Sequence, residues 1–273
     1  MGKETIITLL KGIWVGGTMT VPGVSGGTMA IVMGIYDKLV SSISSFFKKP
    51  KESAIFLISF CVGGLAGVIL FARMITTLLA DEIWGVPIQF FFVGAVAAGL
   101  PLIVKESKVV KVNWRVVLCI LVGILLVVGI AQIPDGVFSV GNEGGMSGIL
   151  LQLVCGFIVA IALVFPGISA SQMLYMFGIY EGIMNNIANL QFLPLIPLAL
   201  GLVIGIILTT KLIEKMLQKF PGATYMVILG FVLASVWELF PGISKLFNWR
   251  CLVLLVAGFM IIYWFSSRET KKE

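Results

Sequence analysis

The chain has 273 residues, of which 59% are hydrophobic and 12% are charged, and its formal net charge is +6. A soluble domain carries about 25% charged residues, whereas a membrane-spanning helix needs about 20 apolar residues in a row. The uncharged runs 12–36 and 144–180 meet that requirement. The composition therefore excludes a soluble protein and predicts an integral membrane protein.

The predicted elements form two series, each a broken hairpin followed by three spans. The first series is the hairpin 5–46 and the spans 54–80, 87–104 and 114–133. The second is the hairpin 149–188 and the spans 194–212, 223–240 and 249–266. In each hairpin a Pro-Gly break separates two apolar legs of roughly 16–19 residues, each about 25 Å long. We predict one all-α polytopic membrane domain, divided into a first repeat (1–133), an external linker (134–148) and a second repeat (149–273).

Internal duplication is visible in the hairpins. The segments 21–43 (VPGVSGGTMAIVMGIYDKLVSSI) and 165–187 (FPGISASQMLYMFGIYEGIMNNI) align at an offset of 144. The identical pairs are Pro22/Pro166, Gly23/Gly167, Ser25/Ser169, Met29/Met173, Gly34/Gly178, Ile35/Ile179, Tyr36/Tyr180 and Ile43/Ile187. Later matches, in order along the chain, are Gly63/Gly201, Gly67/Gly205, Arg73/Lys211 and Asn113-Trp114-Arg115/Asn248-Trp249-Arg250. Such an ordered run indicates duplication.

The distribution of basic residues predicts the orientation in the membrane. Lysine and arginine concentrate in three loops and the tail, at 38–51, 105–115, 211–219 and 268–272. The loops 81–86, 134–147 and 189–193 are acidic or neutral. Because basic loops stay in the cytoplasm, the first hairpin enters and leaves at the cytoplasmic side and the second at the outer side. Three spans follow each hairpin, so the two halves are predicted to be inverted repeats.

The two Pro-Gly breaks are the strongest candidates for a binding site. Irregular backbone at membrane depth is tolerated only when it is buried in protein or faces a wet cavity, and paired breaks in two halves point to a transporter's binding site. Helix N-termini suit anions. The residues predicted to bind an anionic group after the breaks are Ser25, Gly26, Gly27, Thr28, Ser169, Ala170, Ser171 and Gln172. The alternative is that these small residues only allow close helix packing.

Two matched cations, Arg73 and Lys211, are further candidates for attracting a phosphate. A guanidinium matches phosphate geometry, but long cationic side chains also extend to the membrane interface without binding anything. Both interpretations stay open for each residue.

Two matched carboxylates each follow a tyrosine that is identical between the two repeats, as Tyr36-Asp37 and Tyr180-Glu181. We predict a gating or proton-binding role for these four residues. The alternative is a solvated carboxylate at the membrane boundary. Glu238, late in a span, is a further candidate but has no acidic counterpart in the first half.

Histidine is absent, and the four cysteines lie apart in apolar segments, at Cys61, Cys119, Cys155 and Cys251. Without histidine the chain lacks the commonest general base and a frequent zinc and haem ligand. Isolated buried cysteines act as small apolar residues. The sequence therefore predicts no metal site and no His-based acid/base chemistry, and we also expect no cofactor, no catalytic residues and no nucleic-acid partner.

The hairpin sequences resemble a known family. Residues 12–40 (GIWVGGTMTVPGVSGGTMAIVMGIYDKLV) are similar to the signature of a bacterial DUF-type membrane family assigned to undecaprenyl phosphate translocation, the PopT flippases. Residues 165–181 (FPGISASQMLYMFGIYE) resemble its second signature. Two residues depart from the pattern: Met19 stands where an acidic residue often precedes Val-Pro-Gly, and Gln172 stands where an apolar residue often follows.

The resemblance implies a translocase that returns undecaprenyl phosphate from the outer to the cytoplasmic leaflet of the bacterial plasma membrane. This carrier lipid serves the synthesis of peptidoglycan and other envelope polysaccharides. The implied partners are undecaprenyl phosphate and membrane lipids, with homo-oligomerisation left open. The implied protein is a transporter and not an enzyme.

Two alternatives remain beside this interpretation. One is a secondary transporter of another anionic lipid or small anion. The other is an undecaprenyl pyrophosphate phosphatase, which uses similar hairpins with a Pro-Gly-x-Ser-Arg-Ser motif. Here Gly26 and Ala170 stand in place of that arginine, and the only glutamates four apart are Glu269 and Glu273 in the tail. Hydrolysis therefore lacks an obvious apparatus.

Overall fold

The computed structural model describes residues 2–21, 24–135, 146–189 and 191–269, and every regular element within them is helical. The helices are α1 (Lys3–Thr18), α2 (Gly26–Val32), α3 (Tyr36–Ser44), α4 (Pro50–Ala80), α5 (Gly85–Ala97), α6 (Leu100–Glu106), α7 (Trp114–Ala131), α8 (Met146–Val164), α9 (Ala170–Met176), α10 (Tyr180–Ala188), α11 (Ile196–Lys219), α12 (Pro221–Leu239), α13 (Ile243–Leu246) and α14 (Trp249–Glu269). Single 3-10 turns occur at Phe46–Lys48 and Leu193–Leu195. The Pro22-Gly23 break, most of the predicted linker and the end of the tail lie outside the described residues.

Six of the described helical segments are long and apolar enough to cross a membrane. They are Pro50–Ala80, Gly85–Glu106, Trp114–Ala131, Met146–Val164, Leu193–Lys219 and Pro221–Leu239. The apolar part of α14, Trp249–Trp264, is shorter. These helices confirm the prediction of an all-α polytopic membrane protein.

Local sequence explains where several helices begin. Pro50 and Pro221 are the first residues of α4 and α12, a position at which the missing N–H of proline costs nothing. Asn113 caps α7, because its side-chain oxygen accepts a hydrogen bond from the Val116 N–H at 3.0 Å. Substituting such a cap by alanine typically costs about 1 kcal/mol.

The second leg of each hairpin is not one continuous helix, as the sequence had suggested, but two short ones. Gly34 and Gly178 have φ angles of +64° and +65°, which glycine adopts without strain. The Gly34 N–H donates to the Ile31 carbonyl at 2.8 Å, and the Ile35 N–H donates to the Ala30 carbonyl at 2.9 Å. This is a Schellman ending, which stops α2 and starts α3 in a new direction.

The same ending recurs in the second hairpin. The Gly178 N–H donates to the Tyr175 carbonyl at 2.9 Å, and the Ile179 N–H donates to the Leu174 carbonyl at 3.1 Å. The identical Gly-Ile pairs of the two repeats therefore mark the same backbone turn, between α2 and α3 and between α9 and α10.

Glycines let the first leg of each hairpin pack closely against a long helix. A Cβ added at Gly16 would lie 2.0 Å from the Gly64 carbonyl oxygen, and one at Gly12 would lie 2.4 Å from the Phe60 carbonyl oxygen. A Cβ at Gly17 would meet the Phe71 ring. Residues later in α1 contact residues later in α4, so the two helices run in the same direction.

The second half repeats this seam between α8 and α11. A Cβ at Gly156 would lie 2.1 Å from the Leu198 carbonyl oxygen, and one at Gly205 would lie 2.9 Å from the Phe157 carbonyl oxygen. Here too the contacts advance in the same direction along both helices. Each hairpin therefore begins at the same end of the bundle as the long helix that follows it.

The remaining long helices pair across the two halves. Gly94 of α5 packs on α14, where its Cβ would lie 2.0 Å from the Leu255 carbonyl oxygen. Gly230 of α12 packs on α7, where its Cβ would lie 2.2 Å from the Ile120 carbonyl oxygen. Gly94 and Gly230 are equivalent at an offset of 136, and Leu255 and Ile120 at an offset of 135. The repeat seen in the sequence is thus also present in the packing.

Two contacts assign helix ends to the two faces of the bundle. We define the first face as the end where α1 and α4 begin. A Cβ at Gly222 would lie 3.4 Å from the Ser107 carbonyl oxygen, so α12 begins at the first face, beside the connection from α6 to α7. The Arg250 guanidinium lies 5.5 Å from the Trp84 ring centroid, so α5 and α14 begin together at the opposite, second face.

These positions support the inverted arrangement that the basic loops suggest. Because α12 begins at the first face directly after α11 ends there, α11 and its parallel neighbour α8 begin at the second face. The first hairpin thus starts at the first face and the second hairpin at the second face.

Labelling of single cysteines can assign these faces to the cytoplasm and the exterior. In a background without the four native cysteines, Phe47→Cys and Val110→Cys are expected to react with an impermeant maleimide only in everted vesicles. Leu193→Cys is expected to react in intact cells. These side chains are 94%, 94% and 82% exposed, so access will depend on sidedness alone. Reaction of Phe47→Cys from outside intact cells would overturn the orientation derived from the basic loops.

Candidate functional site

The tips of the two hairpins touch each other inside the bundle. The Gly167 N–H donates a hydrogen bond of 2.8 Å to the Thr28 hydroxyl oxygen, and Thr28 is only 1% exposed. A Cβ added at Gly27 would lie 3.1 Å from the Pro166 Cα. The structure therefore brings together two predicted site segments that are about 140 residues apart in sequence.

Gly167 itself is fixed between the hairpin and a spanning helix. Its φ angle is +84°, and an added Cβ would lie 2.5 Å from the Phe231 carbonyl oxygen of α12. Only glycine fits both the backbone conformation and the space. The second tip is thus held by the first hairpin on one side and by α12 on the other.

The other predicted tip residues surround this contact. Ser25 precedes α2 and is buried, and Gly26 faces the Met19 side chain, whose sulfur would lie 2.7 Å from an added Cβ. Ser169 caps α9, because its hydroxyl oxygen accepts from the Gln172 N–H at 3.5 Å. Ala170 and Gln172 are half-buried, and the Ser171 side chain lies outside the described residues.

Three hydrogen bonds attach α3 to the second half of the chain. The Tyr36 hydroxyl donates to the Val164 carbonyl at 3.0 Å. The Tyr225 hydroxyl donates to the Asp37 carboxylate at 2.5 Å, and the Ser44 hydroxyl donates to the Glu214 carboxylate at 2.6 Å. Accordingly α3 packs against both α4 and α11. Tyr36 and Asp37 were predicted from the sequence; the partners Tyr225 and Glu214 were missed, because nothing local marks them.

The equivalent helix of the second hairpin, α10, is packed differently. It contacts α9 and the turn at Leu193–Leu195. The Tyr180 ring stacks on the Tyr175 ring with centroids 4.1 Å apart. Glu181 is exposed and makes no hydrogen bond to the described part of the chain. The two predicted carboxylates, alike in sequence, therefore occupy different environments.

A cavity of about 360 Å³ opens near the second face. Its lining residues are Val21, Leu79, Gln89, Glu238, Leu239, Phe240 and Pro241. Val21 belongs to the first hairpin tip, whereas Leu79 and Leu239 end α4 and α12. The cavity thus extends from the second face towards the first tip, and the carboxylate and amide of Glu238 and Gln89 make part of its wall polar.

The structure does not bring Arg73 and Lys211 to the tips. Both are exposed. Residues two positions apart point about 200° away from each other on a helix. Arg73 therefore faces away from Phe71, which lies against the first hairpin, and Lys211 faces away from the buried Thr209 and Ile213. Both cations lie on the outer surfaces of their helices, at equivalent positions.

The hairpin tips, which meet inside a bundle of long apolar helices, define a class: a polytopic membrane protein with paired interruptions in its apolar segments, a feature that points to a binding site in transporters. A family model described as undecaprenyl phosphate translocase-like matches residues 15–251. The chain belongs to this family, as the resemblance of its hairpin motifs had suggested, and is a multi-pass protein of the bacterial cell membrane.

Two curated relatives extend over most of the chain. A protein of Staphylococcus aureus named a polyprenyl-phosphate transporter is 31% identical over 267 residues, covering 93% of this chain and 94% of its own. A protein of Vibrio cholerae with the same name is 27% identical over 257 residues, covering 89% of this chain and 80% of its own. No solved structure matches.

Proposed function

We propose that this protein transports polyprenyl phosphate, and that it moves undecaprenyl phosphate from the outer to the cytoplasmic leaflet. The observation that carries this proposal is the meeting of the two hairpin tips, through the bond between Thr28 and Gly167. The names of the two relatives support the lipid class, and both name a transporter and not an enzyme.

The physical problem is the phosphate headgroup. Moving an ionised group through hydrocarbon without polar partners is costly, whereas the isoprenoid tail can stay in lipid throughout. The tips carry hydroxyls, an amide and glycine backbone inside the bundle, where a headgroup would need polar partners. In this proposal the residues that contact the headgroup are Ser25, Gly26, Gly27, Thr28, Ser169, Ala170, Ser171 and Gln172.

The charge distribution and the cavity support the proposed direction of transport. The first face carries the basic loops 38–51, 105–115 and 211–219, so it is placed in the cytoplasm. The cavity beside Gln89 and Glu238 then opens to the exterior. In this arrangement a headgroup loads from the outer leaflet and leaves towards the cytoplasm between two inverted halves.

Transport can be measured in proteoliposomes. Purified protein should move labelled undecaprenyl phosphate between leaflets, with no release of inorganic phosphate. A matched vesicle without protein gives the background. Release of phosphate would favour the phosphatase alternative, and transport of an unrelated anionic lipid at the same rate would favour a broader transporter.

Arg73 and Lys211 are proposed to attract the headgroup at the lipid-facing surface of α4 and α11. We expect Arg73→Ala and Lys211→Ala each to slow transport severalfold, and Arg73→Lys and Lys211→Arg to slow it less, because the charge is retained. Initial transport rates at low and high salt measure the effect, since salt screens exposed charges. Unchanged transport by the double alanine variant would show that both side chains only extend to the interface.

A further inference from the structure

The repeat assigns an equivalent to each residue that fastens α3. At the offsets fixed by the matching hairpins and glycines, Asp37 corresponds to Glu181 and Tyr225 corresponds to Gln89. The helix around Gln89 aligns well with that around Tyr225, since Gly94/Gly230, Val96/Val232 and Ala98/Ala234 are identical pairs. Tyrosine and glutamine can both donate a hydrogen bond to a carboxylate.

The two equivalent hydrogen-bond donors, Tyr225 and Gln89, lie at equivalent depths but near opposite faces. Tyr225 is about one turn from the start of α12 at the first face, and Gln89 is about one turn from the start of α5 at the second face. Tyr225 is bonded to Asp37, whereas Gln89 lines the cavity and Glu181 is exposed. One carboxylate–donor pair is closed and its equivalent is apart.

The tyrosines that precede the two carboxylates differ in the same way, with the contact formed in the first hairpin and absent from the second. The Tyr36 hydroxyl bonds to the Val164 carbonyl, and the equivalent of Val164 is Thr20. Tyr180, the equivalent of Tyr36, instead stacks on Tyr175. In an alternative state, α10 would pack against the first half as α3 now packs against the second. Thr20 would then be the polar partner available to Tyr180, and Gln89 the one available to Glu181.

We propose that Asp37–Tyr225 and Glu181–Gln89 are two mutually exclusive gates, and that this structure has the first closed and the second open. The proposal rests on the proposed transport function and deepens it, because it adds Tyr225 and Gln89 as residues that set which leaflet the tips face. Exchange between the two gates closes the cavity near Gln89 and opens the bundle near Tyr225. Because each gate is formed by one hydrogen bond to a carboxylate, losing that bond can shift the balance between the two states.

The test is the accessibility of Leu79→Cys, on the cavity wall, to an impermeant maleimide in intact cells and in a background without native cysteines. A hydrogen bond to a charged group changes an equilibrium constant about tenfold to a hundredfold. Tyr225→Phe removes the donor of the first gate, so labelling is expected to slow about tenfold. Gln89→Leu removes the donor of the second gate and should not slow it. The double variant should return to nearly the starting rate.

The opposite effects of the two gates distinguish gating from a structural role. Two results would overturn the proposal. One is a labelling rate of the double variant as slow as that of Tyr225→Phe alone, and the other is a labelling rate of Tyr225→Phe that is unchanged from the starting protein. Tyr263→Phe and Gln132→Leu, which alter the same residue types elsewhere, serve as matched controls. If Tyr225→Phe does not fold, Asp37→Asn replaces the charged acceptor of the same gate by a neutral amide oxygen, which accepts a weaker hydrogen bond, so labelling should slow in the same direction but by less. Labelling needs no lipid substrate, so the proposal of two gates can be confirmed even if undecaprenyl phosphate is not transported.

Discussion

Gly27→Val is expected to reduce transport to background, because the hairpin tips leave no space for a branched side chain. An added Cβ would lie 3.1 Å from the Pro166 Cα and 3.2 Å from its nitrogen, both backbone atoms. The tips would have to separate, which would strain or break the bond between Gly167 and Thr28. Losing a buried hydrogen bond in this way costs about 1–3 kcal/mol. Transport in proteoliposomes, normalised to folded protein by fluorescence size exclusion, is the measurement.

Gly26→Ala is the matched control, one residue away. Its added Cβ would approach the sulfur of Met19, which lies on a flexible side chain that can move aside. We expect Gly26→Ala to keep most of the transport, Gly27→Ala to lose part of it, and Gly27→Val to lose nearly all. At the second tip, Ser169→Leu and Ser171→Leu are expected to be worse than the corresponding alanine variants. Normal transport by folded Gly27→Val would mean that the headgroup site lies elsewhere.

Gly16→Ala is expected to prevent stable folding, since the seam between α1 and α4 joins backbone to backbone. The added Cβ would lie 2.0 Å from the Gly64 carbonyl oxygen. Overpacking typically costs about 1–3 kcal/mol and more where the neighbour cannot move. Gly156→Ala, at 2.1 Å from the Leu198 carbonyl oxygen in the equivalent seam, should behave alike. The yield of monodisperse protein and its thermal midpoint report the effect.

Gly129→Ala provides the control for these seam variants. Gly129 lies within α7, and an added Cβ would meet no atom within 4 Å. Alanine is favoured over glycine inside a helix by about 1 kcal/mol, so the midpoint should stay the same or rise slightly. If Gly16→Ala were as stable as Gly129→Ala, the close approach of α1 and α4 would be wrong.

Much of the fold could be read from the sequence because its signals are local. Runs of apolar residues predicted the helices, and the overall composition predicted a membrane protein. The identical Gly34/Gly178 and Ile35/Ile179 pairs marked one place in both hairpins, although the helix ending that these residues form became clear only in the structure. The tip segments were also located in advance, because proline and glycine interrupt an apolar stretch in few other ways.

The residues that meet across the molecule were decided by the tertiary structure. Thr28 and Gly167 are 139 residues apart, and Asp37 and Tyr225 are 188 apart. Such pairs depend on how helices are rotated about their axes and how closely their glycines let them approach, which no local pattern encodes. The rotation of α4 and α11 about their own axes also places Arg73 and Lys211 on the sides of these helices that face away from the tips. The sequence also treats the two hairpins nearly alike, so it did not show that they pack differently; the structure decided that α3 packs against α11, whereas α10 contacts α9 and the turn at Leu193–Leu195.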